Sequence, residues 1–243
     1  MARKKKQTLA IILVAILALA SVGMVGLAVA KTESAKSTAV FTPPPNTEIP
    51  PIPMALWVGD SYTEGTGVRE AGQAYPSVTS RSLGYMPIID AQGGTGFVND
   101  GKKNVATNVP MADRLQKTSA TPKLVVIDGG RNDGVADFNT VVKPAVTSYL
   151  DAVKAKWPDA TIVLIVPYYI EGKGVFRAFT NFYAEEAKRI GALVIDPMAE
   201  GWFNGMNTAP LIYTDKIHPN EAGHKLLAEK FTARLKELGV SAV

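Results

Sequence analysis

Two polar side chains follow apolar runs that are typical of buried strands. Ser61 comes shortly after residues 54–58, and Asn132 comes shortly after residues 123–128. Strand ends and helix N-termini meet at one edge of an open α/β sheet, where ligands and reacting groups collect. Ser61 is therefore a candidate nucleophile and Asn132 a candidate hydrogen-bond donor beside it. The alternative for each is an ordinary turn or helix cap whose side chain binds the local backbone.

His218, one of only two histidines, lies three residues after Asp215. A serine hydroxyl becomes an effective nucleophile only when a base takes its proton, and a neutral imidazole can do so near pH 7. A carboxylate that binds the second ring nitrogen fixes the tautomer and stabilises the imidazolium. We expect His218 to be the base for Ser61 and Asp215 to orient it. The alternative is a helix N-terminus capped by Asp215.

A glycine-rich segment, residues 93–96, follows the apolar run 86–89. Acyl transfer from an ester passes through a tetrahedral intermediate whose oxyanion needs donors that are already in place. The candidates are the Ser61 N–H, the Asn132 amide and the N–H of a glycine, which has no side chain to block the approach. Taken together, these residue types predict acyl transfer from an ester.

Along the chain the segments follow one another as Gly-Asp-Ser at residues 59–61, the glycine block at 93–96, Gly-x-Asn-Asp at 130–133 and Asp-x-x-His at 215–218. In this order they resemble the SGNH, or GDSL-type, serine hydrolases over about residues 54–238. The resemblance implies an esterase with a flavodoxin-like, three-layer α/β/α sandwich. The roles that it implies are Ser61 as nucleophile, His218 as base, Asp215 as the triad acid, and Ser61, Gly96 and Asn132 as oxyanion donors. Gly94 is the competing choice for the glycine, although the family pattern Gly-x-x-Gly fits residues 93–96 best with Gly96 as the donor.

Apolar runs and helical patterns alternate along the same region, as expected for a parallel sheet with helices on both faces. The predicted strands cover residues 54–58, 86–90, 123–128, 161–167 and 192–196. The predicted helices cover residues 74–83, 111–117, 144–156, 176–190 and 221–238. Residues 54–243 are therefore expected to form one catalytic domain around a five-stranded parallel sheet.

Several other polar and aromatic residues have structural interpretations. Arg131 is expected to form a surface salt bridge, with substrate contact as the alternative. Asp133 is expected to order its loop, and His224 to be a structural residue of the last helix. Aromatic side chains of residues 168–175 and 201–213 are expected to help wall the pocket, with simple packing as the alternative, namely Tyr168, Tyr169, Trp202, Phe203 and Tyr213.

The N-terminal segment predicts export. A basic cluster at residues 3–6 precedes an uncharged apolar stretch, residues 9–30, which is the layout of a secretory signal or a membrane anchor. Residues 28–30 fit a small-x-small cleavage site, whereas the apolar stretch is long enough to span a bilayer. Residues 1–30 are therefore a signal peptide or an anchor, and the proline-rich residues 31–53 are a linker. We expect a secreted protein, or one tethered to the outer face of the cytoplasmic membrane and contacting it only through residues 1–30.

Motifs and composition exclude several other classes of protein. The Gly-x-Ser-x-Gly elbow of α/β-hydrolases is absent because position 63 is a threonine, and no segment fits a dinucleotide or P-loop fingerprint. The chain has no cysteine and two histidines, and we expect neither a metal nor a cofactor. The first six residues carry four basic groups, which account for the whole net charge of +4, so the composition does not indicate nucleic-acid binding.

The sequence therefore predicts an exported serine esterase that acts on a small-molecule, glycan or lipid ester. An O-acyltransferase, in which a hydroxyl of an envelope glycan replaces water as the acceptor, is the nearer alternative. A non-catalytic envelope-binding module is the more distant one. The residues leave the acyl chain and the alcohol of the substrate open.

Overall fold

The computed structural model describes residues 51–171 and 176–242. Residues 1–30, interpreted as a signal or anchor, lie outside the described residues. So do most of the linker, residues 31–50, and part of a predicted pocket loop, residues 172–175. The interpretations of these segments stay predictions.

Five parallel strands form one sheet in the order β2-β1-β3-β4-β5. They are β1 (Met54–Gly59), β2 (Met86–Ala91), β3 (Leu124–Asp128), β4 (Thr161–Ile165) and β5 (Leu193–Ile195). All five were predicted. β4 ends two residues earlier than expected, because Pro167 has no N–H with which to continue the ladder.

Six α-helices lie in the described residues. They are α1 (Ser61–Glu64), α2 (Tyr75–Ser82), α3 (Met111–Leu115), α4 (Lys143–Lys156), α5 (Arg177–Ile190) and α6 (Glu221–Glu237). The last five match the predicted helices, whereas α1 is too short to show a periodic pattern. In this part of the chain, no helix combines the length and the apolar character needed to cross a bilayer.

Both faces of the sheet are covered by helices. Successive strand residues point to opposite faces, so Leu56 and Val58 of β1 pack in a core cluster with α4 and α5. Ala55 and Trp57 pack on the other face with α2 and α6. Burial on both sides accounts for the continuous apolar sequences of β3 and β4. The predicted three-layer α/β/α fold with a five-stranded parallel sheet is confirmed.

The strand order reverses between β1 and β3, which pair directly. After β1 the chain forms α2 on one face, and after β3 it forms α4 on the other. At such a switch point the connections diverge and leave a crevice at the carboxyl ends of the strands. Ser61 follows β1 and Asn132 lies in the loop after β3, so both reach this crevice.

Gly59 ends β1 where two neighbours come close. A Cβ at this position would lie 2.0 Å from Thr63 Oγ1 and 2.8 Å from the carbonyl oxygen of Asp128. We predict that Gly59→Ala lowers the free energy of unfolding by about 1–3 kcal/mol, the usual range for overpacked cores. Gly72 is the control, because a Cβ there would meet nothing within 4 Å. Gly72→Ala should change the free energy of unfolding by about 0.5 kcal/mol or less. Urea unfolding measures both, and equal midpoints would contradict the prediction.

Candidate active site

Ser61 is the first residue of α1, just beyond the end of β1. Asp60 caps this helix, and its Oδ1 accepts a hydrogen bond from the Tyr62 N–H at 3.0 Å. Gly65 ends the helix in the left-handed region with φ 95°. The N–H of Ser61 donates to no protein acceptor within the described residues. The cap therefore leaves both the serine hydroxyl and its backbone N–H available at the carboxyl edge of the sheet.

Ser61, His218 and Asp215 form one hydrogen-bonded chain. Ser61 Oγ and His218 Nε2 lie 2.7 Å apart. His218 Nδ1 and Asp215 Oδ2 lie 2.6 Å apart. The fold thus brings together three side chains that the sequence singled out, although the serine and the histidine are 157 residues apart. In this geometry the imidazole can take the serine proton while the carboxylate holds the ring.

The loop before the histidine is held by Asp215 itself. Its Oδ1 accepts the N–H groups of Ile217 at 2.9 Å and of His218 at 3.0 Å. Lys216 takes a left-handed backbone conformation with φ 62°, which is uncommon for a residue other than glycine. Partial burial acts to raise the pKa of Asp215, but hydrogen bonds from the His218 N–H and ring and from the Ile217 N–H hold it below its ordinary value. Asp215 is therefore an anion at neutral pH.

A cavity of about 350 Å³ opens beside Ser61 and His218. The other polar residues that line it are Thr66, Asn104, Arg131 and Asn132. Gly93 and Gly94 add bare backbone, and Tyr62, Tyr169 and Ile217 supply its apolar surface. The cavity is small and has hydrogen-bonding groups on several sides.

Gly96 does not line this cavity, and the prediction that it donates to an oxyanion is wrong. Its N–H already donates to the Asn99 carbonyl oxygen at 2.9 Å. A Cβ on Gly96 would lie 2.2 Å from an oxygen of Asp133, so the position needs a glycine for packing. Gly93 and Gly94 line the cavity instead, and their N–H groups have no protein acceptor in the described part of the chain.

Asn132 lines the cavity with a fixed side chain. Its Nδ2 donates to the Thr95 carbonyl oxygen at 2.9 Å, which leaves the second amide hydrogen available.

Asp133 orders the neighbouring loop, as predicted. Its carboxylate accepts three N–H groups at 2.9–3.0 Å, those of Phe97, Val98 and Asn99. The asparagine loop and the glycine loop are therefore bound to each other.

Arg131 is buried inside the domain, so the prediction of a surface salt bridge is wrong. Its side chain is 2% exposed, and those of its partners Asp60 and Asp128 are 0% exposed. The guanidinium binds Asp128 Oδ1 at 2.6 Å and both carboxylate oxygens of Asp60 at 3.2 Å. The rings of Tyr62 and Tyr168 lie 4.4 and 4.8 Å from its central carbon. We refer to Asp60, Arg131 and Asp128 as the buried ion cluster.

Two carboxylates share one guanidinium in this cluster. Burial raises the pKa of Asp60 above its ordinary value, with Arg131 opposing the rise and Asp128 adding to it. Burial alone would lower the pKa of Arg131, but the two carboxylates hold it well above its ordinary value. The hydroxyls of Thr63, at 3.1 Å, and of Tyr75 also donate to Asp128. These donors replace the water that the carboxylate loses on burial.

The second histidine, His224, is a structural residue of α6, as predicted. It is fully buried, its Nε2 lies 3.1 Å from the Thr66 carbonyl oxygen, and its ring stacks on Tyr75. Burial lowers the pKa of its imidazole, which favours the neutral form. Within residues 51–171 and 176–242, no group of three or more histidine or acidic side chains is arranged to hold a metal ion.

The aromatic residues predicted to wall the pocket divide into two sets. Tyr169 lines the cavity, and Tyr213 lines a neighbouring cleft. The other three belong to the hydrophobic core, namely Tyr168, Trp202 and Phe203. For these three the alternative of simple packing holds, because loop position alone does not reveal which aromatic rings point into the core.

A family model and the relatives of this chain indicate the same family of ester hydrolases. The sequence model of the GDSL-like Lipase/Acylhydrolase family matches residues 57–226, which is more than half of the chain. A GDSL lipase of Mycobacterium tuberculosis is 28% identical over 188 residues, covering 73% of this chain and 79% of the lipase. An acetylxylan esterase of Geobacillus stearothermophilus is 25% identical over 209 residues, covering 76% of this chain and 93% of the esterase.

Solved structures share the fold. A family two carbohydrate esterase from Clostridium thermocellum, solved in complex with cellohexaose, superposes with a TM-score of 0.59 at 23% sequence identity. The match covers 78% of this chain and 66% of that protein. The fold is therefore shared with an esterase whose sequence has diverged widely.

Loss of the Arg131 guanidinium would leave two buried carboxylates without a cation. We predict that Arg131→Met, which keeps much of the side-chain volume, lowers the free energy of unfolding by about 3–5 kcal/mol. Arg69 is the matched control, because its side chain is 90% exposed and lies 3.4 Å from Glu221. Arg69→Met should cost about 1 kcal/mol or less. Urea unfolding followed by circular dichroism compares them, and a similar loss in both would contradict a buried cluster.

Proposed function

The chain belongs to the GDSL-like lipase/acylhydrolase family of carboxylic ester hydrolases, and from this premise we propose that Ser61, His218 and Asp215 are its catalytic triad. The observation that carries the proposal is the hydrogen-bonded chain from Ser61 Oγ through both ring nitrogens of His218 to Asp215. Its two links measure 2.7 and 2.6 Å. The serine end of this chain faces a cavity with room for a substrate.

Ester hydrolysis then proceeds in two halves. Ser61 Oγ attacks the carbonyl carbon as its proton passes to His218 Nε2, and the carbonyl electron pair moves onto oxygen. The tetrahedral intermediate collapses, the bond to the alcohol breaks, and the leaving oxygen takes the proton from Nε2. Water repeats the attack on the acyl-enzyme, which releases the acid and restores the serine. Asp215 stabilises the imidazolium in both halves.

We assign the oxyanion to the N–H groups of Ser61 and Gly94 and to the second amide hydrogen of Asn132. The carbonyl of Gly93 accepts a hydrogen bond from Asn108 at 2.9 Å. The N–H and C=O of a trans peptide group point in opposite directions, so the Gly94 N–H points away from Asn108. Gly93 itself is close to the nucleophile, since a Cβ on it would lie 3.7 Å from the Ser61 Cβ. Removing one such donor typically costs about a hundredfold or more in rate.

The substrate class that the site favours is an acetyl or other short acyl ester of a hydroxyl-rich alcohol such as a glycan. The cavity at the serine is small, which suits a small acyl group better than a long hydrocarbon chain. An open cleft of about 660 Å³, lined in part by Arg69, Tyr213 and Asn220, adjoins the cavity through Thr66. This cleft has room for the alcohol. The acetylxylan esterase among the relatives fits this class, and the lipase among them makes a lipid ester the second candidate.

The same triad would serve an O-acyltransferase if a glycan hydroxyl reached the acyl-enzyme before water did. The open cleft that adjoins the cavity through Thr66 is the observation that keeps this reaction as a candidate. The two reactions share every step up to the acyl-enzyme. They differ only in the acceptor, so an added glycan distinguishes them.

We also propose that the protein is exported, and is then secreted or held at the outer face of the cytoplasmic membrane. The support is the basic cluster at residues 3–6 followed by the uncharged stretch 9–30. The intact mass of the full-length chain after expression in a bacterial host distinguishes cleavage after residue 30 from retention. Recovery of the uncleaved chain in the cytosol would contradict export.

We predict that the native protein reacts with a fluorophosphonate probe and hydrolyses 4-nitrophenyl acetate. Ser61→Ala should lose labelling and reduce turnover by about 10⁴-fold or more with its fold intact, because no other group supplies the nucleophile. Ser82→Ala removes an exposed hydroxyl at the end of α2 and serves as the control. A folded native protein that neither labels nor turns over would contradict the triad.

The same assay tests the substrate class. Turnover should fall from the acetate to the octanoate ester, whereas a rise with chain length would favour the lipid ester. With an added xylo-oligosaccharide, release of acetate should exceed transfer to the glycan. Faster transfer than hydrolysis would identify an acyltransferase.

A further inference from the structure

Tyr62 joins the loop of the nucleophile to the loop of the base, and we propose that this link positions His218 for proton transfer. Tyr62 follows Ser61 in α1, and its hydroxyl donates to the carbonyl oxygen of Ile217 at 2.7 Å. The donor and the acceptor are 155 residues apart in sequence. The inference rests on the triad proposed above and makes Tyr62 a positioning residue of that triad.

The carbonyl that Tyr62 binds belongs to the peptide group between Ile217 and His218. The N–H at the other side of this peptide group donates to Asp215 Oδ1 at 3.0 Å. Because a peptide group is planar and rigid, one hydrogen bond on each side fixes its rotation about the chain direction. The next carbonyl, that of His218, accepts the Tyr213 N–H at 2.7 Å. The backbone of His218 is therefore held on both sides, and only its side-chain torsions are left to the ring contacts.

Tyr62 is itself held rigidly by the buried ion cluster. Its side chain is almost fully buried, with 1% exposure for the residue. The guanidinium of Arg131 lies over its ring at 4.4 Å, and Asp60 Oδ1 accepts its N–H at 3.0 Å. The ring of Tyr168 packs edge-on against it with centroids 5.7 Å apart. These contacts fix the hydroxyl at one place beneath the catalytic loop.

The loop that receives this hydrogen bond is otherwise exposed. Asp215, Lys216 and Ile217 all lie at the surface, and Lys216 holds a left-handed conformation that is strained in a residue other than glycine. Such a loop keeps one geometry only if bonds from the interior hold it. Burial also raises the pKa of Tyr62 further above its ordinary value, so the phenol stays protonated and remains a donor through the neutral range.

The test is Tyr62→Phe, which removes only the hydroxyl. The kcat for 4-nitrophenyl acetate, expressed per site titrated with fluorophosphonate, should fall about tenfold, as expected for the loss of one hydrogen bond. KM should stay within about twofold, because substrate binding does not use the lost bond. The second-order rate of fluorophosphonate labelling should fall by the same factor as kcat. Referring kcat to titrated sites keeps any loss of folded protein out of the comparison.

Tyr149→Phe is the matched control. Its hydroxyl is buried and has no hydrogen-bond partner among the described residues, and its ring packs against Phe97 away from the triad. The control should keep native kcat and KM.

Three outcomes separate the inference from the proposed function. Equal kcat in Tyr62→Phe and native protein would overturn the inference while the triad stands. A raised KM at unchanged kcat would also overturn it, because the Tyr62 hydroxyl would then act on the substrate rather than on His218. Absence of activity in the native protein would instead overturn the triad proposal, on which the inference rests.

Discussion

The buried guanidinium of Arg131 is the interaction on which the active site depends. It binds Asp128 at the end of β3 and Asp60 at the start of α1 with almost no solvent contact. Removing three charged groups from water costs several kcal/mol for each ion, and the attraction between them offsets that cost only when the geometry is good and the remaining lone pairs are satisfied. The ends of β1 and β3 therefore cannot separate without leaving a charge unpaired in the interior.

Two members of the buried ion cluster are sequence neighbours of residues of the candidate active site. Asp60 precedes Ser61, and Arg131 precedes Asn132, so the ion pair that joins the two strand ends also fixes the distance between the proposed nucleophile and the proposed amide donor. The strand order explains why the site lies at the carboxyl ends of β1 and β3. The sheet reverses between β1 and β3, and in the crevice that this leaves two strand ends and a glycine loop can face one substrate.

The sequence was sufficient for the features that depend on local pattern or on residue type. The strands were predictable because burial on both faces demands continuous apolar runs. Ser61, His218 and Asp215 could be proposed as a triad because few side chains can perform that chemistry, and the structure places the three side chains in contact. The burial of Arg131 was not predictable, because its partner Asp60 is 71 residues away and only the fold brings the two together. The short helix α1 was missed because one turn has no periodicity to detect.

The sequence alone could not identify which glycine is the proposed oxyanion donor. Gly94 and Gly96 both lie in a segment rich in glycine, and the spacing alone favours Gly96. The direction of each N–H depends on how the loop is folded, and the loop is folded by the carboxylate of Asp133, which binds three successive N–H groups from 36 to 34 residues away. Gly96 is held against that carboxylate, and its N–H is turned away from the cavity toward Asn99.

The most direct test of this account is a crystal structure of the native protein after reaction with a 4-nitrophenyl alkylphosphonate, whose phosphorus imitates the tetrahedral carbon. We expect phosphorus bonded to Ser61 Oγ and a phosphonyl oxygen within about 3.1 Å of the Ser61 N, the Gly94 N and Asn132 Nδ2. A phosphonyl oxygen that lies against Gly96 or points into solvent, or an adduct on any residue other than Ser61, would contradict it.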